Sequence, residues 1–273
     1  MAVGKLTRKG LPFSNVVPTG IATNIVTPGR TLEVMTLKLG GTSLTKAMLA
    51  NIRMKANGKV IVEATGAQLD AVNKYRGETA NAGYLDLNFA DMSMLSELDR
   101  MVGAFDTSQG IANITTEVEI DGATAPTLEP ILLESARSTP REAAYAGLIC
   151  KLLSYPWNIA NGGRLPVQLP FGPQHGAIIK RMHFFHTGNM TGITIKQDGL
   201  VIHESLTAEN EYAQVKAGRV PQSGVYTVDF VLDGNIAKAL NTRDAKSLEV
   251  LADYSAADNG TILIEYLDPL GNL

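Results

Sequence analysis

The sequence predicts an all-β chain built from two similar units in tandem, and three observations support this. A hairpin pattern occurs twice, at residues 52–61 and 193–202, and the flanking sequences also correspond. Each unit contains many short alternating segments separated by turn residues, which is typical of antiparallel barrels and sandwiches. The length of 273 residues also exceeds the commonest single-domain size of roughly 100–150 residues, so two cores are expected.

Each hairpin alternates apolar and polar residues around a two-residue turn, Asn57-Gly58 in the first copy and Asp198-Gly199 in the second. Such dipeptides favour a type I′ turn, which needs positive φ at both central positions. The turns lie 141 residues apart (57 to 198). A plain two-residue turn predicts two apolar cross-strand pairs, Met54 with Ile61 and Ile195 with Ile202.

The correspondence continues downstream of both hairpins. A short helical stretch, 68–75 or 208–216, precedes a strand in which Leu85, Leu87 and Phe89 match Val228, Phe230 and Leu232 at a shift of 143. An aspartate, Asp91 or Asp233, then predicts a helix N-cap. A strand at 114–120 or 262–267 closes each unit. Long connections that carry short helices favour a jelly roll over an up-and-down barrel, while the strand order stays open.

The predicted organisation has four parts: an N-terminal arm at 1–12, a first jelly-roll barrel at 13–135, an inter-barrel segment at 136–160 and a second barrel at 161–273. Residues 123–130 have the composition of a linker. The run Thr139-Pro140-Arg141-Glu142 fits a capping box with proline at the first helical position. It predicts a helix to about Tyr155, which Pro156 ends, packed across the junction of the barrels.

Composition excludes several classes of function. The net charge is −3, which argues against a surface that neutralises phosphates in sequence-specific nucleic-acid binding. Lys5, Arg8 and Lys9 are a local exception, interpreted either as a solvated terminus or as a basic arm that touches an anionic surface. Cys150 is the only cysteine, and neither a signal peptide nor a long apolar stretch is evident, so we expect synthesis in a reducing cytoplasm.

The residue pattern predicts no catalytic centre, and therefore not an enzyme. His183 and His186 are three apart on a predicted strand, so their side chains should point to opposite faces rather than bind one metal ion. His203 is expected opposite Thr194. The His-x-His pattern of a cupin-like enzyme is absent, and Ser43-Leu44-Thr45-Lys46 matches a penicillin-binding nucleophile motif without its partner motifs.

Three short blocks carry a family resemblance. They are Thr31-Leu32-Glu33-Val34, the run from Tyr226 to Gly234, and Ile262-Leu263-Ile264-Glu265-Tyr266-Leu267. Together with the overall length and the order of the blocks, they resemble the corticovirus major capsid protein family from about Leu11 to Leu267.

This resemblance implies a double jelly roll that trimerises into pseudo-hexagonal capsomers. These would contact neighbouring capsomers and a penton or vertex protein, in an icosahedral virion shell around an internal lipid membrane and double-stranded DNA. It implies no catalytic residues and no cofactor, although a structural divalent cation such as calcium at subunit contacts is compatible with it. It also suggests that Lys5, Arg8 and Lys9 form an arm that contacts the membrane or a neighbouring subunit.

A double jelly-roll protein that binds carbohydrate, such as a receptor-binding spike, is the alternative. Carbohydrate sites usually display aromatic platforms, whereas this chain has one tryptophan, Trp157, next to the predicted inter-barrel helix. A trimer in solution would favour the capsid interpretation, and a monomer that binds glycan would favour the alternative.

Overall fold

The computed structural model describes residues 5–79, 81–108, 110–135, 147–173 and 178–273. The first unit consists of β1 (Leu6–Lys9), β2 (Gly20–Ile25), β3 (Thr31–Ser43), β4 (Leu49–Ala56), β5 (Lys59–Ala64), α1 (Gly66–Tyr75), β6 (Tyr84–Asn88), α2 (Glu97–Met101), β7 (Phe105–Asp106), β8 (Ile114–Ile120) and β9 (Thr124–Ser135). The second consists of β10 (Leu148–Ile159), β11 (Gly163–Val167), β12 (Ile178–Phe185), β13 (Met190–Gln197), β14 (Leu200–Leu206), α3 (Thr207–Lys216), β15 (Val225–Asp229), β16 (Leu240–Asn241), β17 (Leu248–Tyr254) and β18 (Asp258–Pro269). Short 3₁₀ turns lie at Lys46–Met48, Ile236–Lys238 and Leu270–Asn272.

Each unit packs two sheets around its own apolar core. In the first unit, β5-β4-β8-β2 packs against β1-β9-β3-β6, with β7 beside β3. In the second, β14-β13-β17-β11 packs against β10-β18-β12-β15, with β16 beside β12. Alternating strand residues supply both cores, for example Met35 and Leu37 in one and Ile193 and Ile195 in the other. A parallel contact between β5 and β10 joins one sheet of each unit into a single nine-stranded sheet.

The internal repeat is more regular than its sequence suggests. From Leu49 to Asn88 every strand and long helix has a counterpart between Met190 and Asp229 at a constant shift of 141, and only β14 differs in length, because it ends one residue later than β5 does. The predicted shift of 143 for the strand after the helix is wrong, because β6 and β15 also start 141 residues apart, at Tyr84 and Val225. Later strands keep a shift of 134: β8 corresponds to β17, and β9 to β18.

The two hairpins have the predicted turn but a different register. Asn57 and Gly58 have φ of 49° and 82°, and Asp198 and Gly199 have 52° and 82°, as a type I′ turn requires. A β-bulge in each hairpin adds one residue to the second strand, so the predicted pairs are wrong. The observed pairs are Met54 with Val62, Ile195 with His203, and Thr194 with Glu204.

Strand β10 replaces most of the predicted inter-barrel helix. Residues 148–155 belong to this strand, which pairs with β18 along its whole length, and Pro156 lies within it. Both faces of β10 are covered: Ile149 and Leu152 join the first core, whereas Leu153 and Tyr155 pack on the second. A strand that is apolar on both faces lacks simple alternation, which explains why it resembled a helix. The predicted capping box lies outside the described residues.

Strand β9 occupies the predicted linker at 123–130 and closes the first unit, in place of the strand at 114–120. Its prolines are tolerated because of where they lie. Pro126 and Pro130 pair with β3 on one side, while on the other side β1 covers only residues 131–134. A proline without an N–H donor can therefore occupy the uncovered edge of this strand.

Candidate functional site: the joint between the units and the N-terminal strand

The two units meet at a joint whose charged residues are withdrawn from solvent. The first unit contributes Arg76, which follows α1, and Asp91, which follows β6. The second unit contributes Lys180, Arg181, His183, Arg219, Asp229 and Glu265. The side chains of Lys180, Arg181 and Glu265 are 0% exposed. Neither aspartate caps a helix as predicted: α2 is capped by Ser96, and Asn235 caps the turn near Asp233.

Arg181 lies at the centre of this network. Its Nη1 donates to Asp91 Oδ2 at 2.7 Å and to Glu265 Oε2 at 3.0 Å, and its Nε donates to Asp229 Oδ2 at 3.0 Å. Fork-shaped guanidinium groups suit such multiple carboxylate contacts better than a lysine ammonium does. One side chain of β12 therefore links the loop after β6 in the first unit to β15 and β18 in the second.

Two further ion pairs cross the joint. Lys180 Nζ donates to Asp91 Oδ2 at 2.7 Å, and Arg76 Nη2 lies 2.9 Å from Glu265 Oε2. Within the second unit, Arg219 Nε lies 3.5 Å from Asp229 Oδ2. Buried charges are tolerated only when paired and hydrogen-bonded, and each carboxylate here has at least two cationic neighbours.

The electrostatics of the joint keep its carboxylates ionised. Burial on its own would raise the pKa of Asp91, but Arg181, Lys180 and Arg76 hold that pKa well below its ordinary value. The same competition, with Arg76 and Arg181 as the main cations, holds the pKa of Glu265 well below its ordinary value. Asp91 and Glu265 are therefore ionised at neutral pH and stay so well into the acid range.

His183 is a structural member of the joint. Its Nε2 lies 3.0 Å from Glu265 Oε1 and its Nδ1 lies 2.9 Å from Thr227 Oγ1, while its ring packs edge-on against Tyr75. Burial lowers the pKa of His183 despite the neighbouring glutamate. The neutral ring then donates from Nε2 to the carboxylate and accepts the threonine hydroxyl at Nδ1.

The structure does not bring the other candidate residues into a reactive arrangement. His186 Nδ1 accepts a hydrogen bond from Gly188 N, away from His183. Lys46 Nζ is 2.5 Å from Asp70 Oδ1, and Ser43 Oγ instead accepts a hydrogen bond from Thr124 N. Among the described residues, no group of three or more histidine, cysteine or acidic side chains is arranged to hold a metal ion.

Of the basic N-terminal residues, Arg8 and Lys9 belong to strand β1 and Lys5 precedes it, and each lies near a glutamate of the same chain. Lys5 Nζ lies 2.7 Å from Glu33 Oε2, and Arg8 binds both carboxylate oxygens of Glu134 at 2.7 and 2.8 Å. Lys9 makes a looser contact of 3.8 Å with Glu129, and its side chain is 81% exposed. Of the three, Lys9 is the most available to a partner.

Strand β1 has a counterpart in the second unit. It pairs with β9 as β10 pairs with β18, and the two registers place Arg8 where Lys151 lies in the repeat. Lys151 Nζ is 2.6 Å from Asp268, which occupies the position of Glu134. A cation–carboxylate pair therefore occurs at the same position in both units, half-exposed at Arg8 and buried at Lys151, so β1 is the first strand of a barrel.

Sequence reasoning missed the joint because its partners lie far apart along the chain. Lys180 and Arg181 lie within the buried strand β12, between the apolar residues Ile179 and Met182. A cationic pair inside an apolar run requires buried carboxylates, so this doublet was the available signal. The partners themselves are 48 to 90 residues away and could not be assigned from spacing.

The tryptophan is unsuited to a carbohydrate platform. Trp157 lies on β10, not beside a helix, and its ring packs edge-on against Tyr254 at a centroid distance of 5.4 Å.

The helices of the described residues include none with the length and apolar character needed to span a membrane.

Comparison with known proteins gives one consistent result. Models of the viral coat protein P2 N-terminal and C-terminal domains match residues 7–136 and 149–270. Major capsid protein P2 of Pseudoalteromonas phage PM2 is 24% identical over 247 residues, covering 88% of each chain.

Solved structures support the same fold. The crystal structure of that phage PM2 protein has a TM-score of 0.85 at 19% identity and covers 97% of this chain and 98% of its own. The STIV major capsid protein has a TM-score of 0.73 at 13% identity, covering 98% and 97%. The PBCV-1 virus capsid protein has 0.62 at 11%, covering 97% and 93%. The predicted double jelly roll is therefore confirmed.

Proposed function

The chain belongs to the viral coat protein P2 family, and we propose that three copies form a pseudo-hexagonal capsomer in an icosahedral shell around an internal membrane and double-stranded DNA. It is a structural protein of the virion and not an enzyme.

The presence of two similar barrels in one chain supports the proposal of a trimer. One chain supplies two barrels whose central elements correspond at a shift of 141. The contact between them is head-to-tail, because the β5 edge of one barrel meets β10 of the next. Head-to-tail contacts close into rings or continue as filaments, and three chains with two barrels each would form a ring of near-sixfold outline.

We extend the same proposal to the remaining partners. Neighbouring capsomers, a penton or vertex protein, and the internal membrane or its proteins would contact the outer surfaces of the trimer. In the arm, Lys9 would make the contact with lipid, because Lys5 and Arg8 lie 2.7 Å from a glutamate of their own chain, whereas Lys9 lies 3.8 Å from Glu129. The net charge of −3 supports the absence of sequence-specific nucleic-acid binding.

The mass of the purified protein tests the trimer. Three chains of 29.2 kDa give about 88 kDa, which light scattering coupled to gel filtration distinguishes from a monomer. Electron microscopy of native particles should then reveal pseudo-hexagonal capsomers. A protein that stays monomeric at every concentration and binds glycan would instead support the carbohydrate-binding alternative.

A role for calcium is tested separately. If a structural divalent cation holds subunits together, chelation with EGTA should dissociate capsomers from the shell, and added calcium should restore them. Particles whose sedimentation is unchanged by the chelator would contradict the requirement.

A further inference from the structure

Among the open strand edges of the described chain are two, on β14 and β1, whose counterparts in the repeat pair with each other inside the chain. In the first unit, the outer edge of β5 is covered by β10, with Val62 opposite Leu152. The counterpart of β5 is β14, which ends its sheet and pairs only with β13 among the described strands. The counterpart of β10 is β1, which ends its own sheet and pairs only with β9 there.

The equivalence of β5 and β14 is close. Both strands follow a type I′ turn and carry a bulge at the same position, so Met54 with Val62 becomes Ile195 with His203. The residues of β14 next to the turn are apolar and open: Leu200 is 71% exposed and Val201 is 45% exposed. An open edge with exposed apolar residues favours association, and among the described strands β14 pairs only with β13.

A groove beside α3 corresponds to the joint beside α1. The joint is lined by Val72 and Arg76, and the groove, of about 690 Å³, is lined by Ala213 and Ala217 at the same positions of the repeat. Leu95, which also lines the groove, is 77% exposed. The surface beside α1 of the first unit contacts the second unit, and the second unit carries the corresponding surface beside α3 in an open form.

An ion pair of the joint has apolar residues at both corresponding positions of the repeat. Arg76 and Glu265 form an ion pair of 2.9 Å across the joint. Their counterparts are Ala217 in the groove and Ile131, a half-buried residue on β9 of the first unit. Both partners of one ion pair thus become apolar, as required if Ala217 of one molecule meets Ile131 of another, because an unpaired buried charge would be costly.

We propose that β1 of one copy lies parallel to β14 of the next copy, with Lys9 opposite His203, while the outer face of β9 covers the groove beside α3. This contact rests on the proposed trimer and specifies its interface. It repeats between molecules the arrangement that β10 and β5 make within one. Each chain offers one open β14 and one open β1, so the contact is head-to-tail and can close a ring.

An engineered disulfide tests the register. Neighbouring strands lie about 4.8 Å apart, which is within reach of a disulfide, so Lys9→Cys combined with His203→Cys should link neighbouring copies. Oxidised protein should run as covalent dimers and trimers on a non-reducing gel. The only native cysteine, Cys150, is buried and should not interfere.

Matched controls separate this contact from random collision. Each single cysteine variant should give no covalent trimer. Lys9→Cys combined with Glu249→Cys should also fail to link, because Glu249 lies on β17, and β13 separates that strand from the β14 edge.

A second variant tests the groove without an added cysteine. Ala217→Glu places a carboxylate where the proposal puts Ile131 of the neighbour, and Ala217 is exposed in the single chain, so the fold should persist. The concentration needed for half-maximal trimer formation should rise at least about tenfold. Ala208→Glu, an exposed alanine in the first turn of the same helix, should leave it unchanged.

The outcomes distinguish this contact from the proposed function. A trimer of about 88 kDa that neither cross-links through positions 9 and 203 nor responds to Ala217→Glu would overturn the contact and leave the capsomer intact. A protein that is always monomeric would overturn both. A trimer that forms no cross-link, in particles that lose their membrane when residues 1–9 are deleted, would assign the arm to lipid instead.

Discussion

Asp91→Asn is the sharpest test of the buried joint. The Asp91 carboxylate is 1% exposed and accepts hydrogen bonds from both Lys180 and Arg181 at 2.7 Å. Asparagine keeps the shape but removes the charge that faces two buried cations. Breaking a buried ion pair by removing one partner costs about 3–5 kcal/mol. Because Arg181 retains Asp229 and Glu265, we expect a loss near 3 kcal/mol in the free energy of unfolding.

Urea unfolding at matched protein concentration measures this loss, with Trp157 fluorescence and circular dichroism as signals. Glu249→Gln is the matched control, because Glu249 lies 3.8 Å from Lys196 on the surface, where the two side chains are 54% and 33% exposed. Exposed pairs contribute about 0–1 kcal/mol, so this variant should differ little from the parent protein. If both variants lose the same small amount, the joint does not depend on its charges.

Three further changes have defined outcomes. Because burial lowers the pKa of His183, the unfolded chain binds a proton at a higher pH than the folded chain does, and stability should fall as pH drops below about 6.5. In a profile of the urea midpoint measured from pH 7.5 to 5, His183→Gln should flatten this fall. An unchanged slope would rule out the assignment to His183. The lowered pKa of Glu265 contributes stability that persists until pH falls below about 4. Gly58→Ala meets no atom within 4 Å but must adopt φ of +82°, so urea unfolding should reveal a loss of about 1–2 kcal/mol. Gly41→Ala should lose more by the same assay, because its Cβ would lie 2.0 Å from the carbonyl oxygen of Ala125 at φ of +93°; equal losses would contradict the steric argument.

The local features of this fold could be predicted because their signals lie within a few residues of each other. The Asn57-Gly58 and Asp198-Gly199 turns follow from the φ angles that these residues tolerate, and the repeat follows from comparing the two hairpins. The bulges could not be predicted, because the extra residue of each hairpin, Ile61 or Ile202, is itself apolar and fits the alternating pattern as a paired residue. A single bulge was enough to change the cross-strand partners of Met54 and Ile195.

Features that depend on the contact between units were harder to predict. Strand β10 reads as a helix because Ile149 and Leu152 cover one core while Leu153 and Tyr155 cover the other. That pattern is set by the neighbouring barrel, not by the strand itself. The ion pair of Arg8 could not be predicted for the same reason, since Arg8 meets Glu134 only when β1 pairs with β9, 126 residues later.

The two versions of the inter-barrel contact differ in a way that matches their roles. Within the chain the contact is permanent, and it contains buried charges, including Arg76 and Asp91, that are satisfied by partners on the other unit. At the corresponding positions of the second unit stand Ala217 and Leu232, which line the open groove. Ala217 and Leu232 can be exposed in a free subunit at lower cost than the unpaired charges of Arg76 and Asp91 would be. The charged surface would also reject the apolar one, because its cations and carboxylates would be left unpaired. We therefore expect that first and second units alternate around the ring, since each surface accepts only its own type of partner.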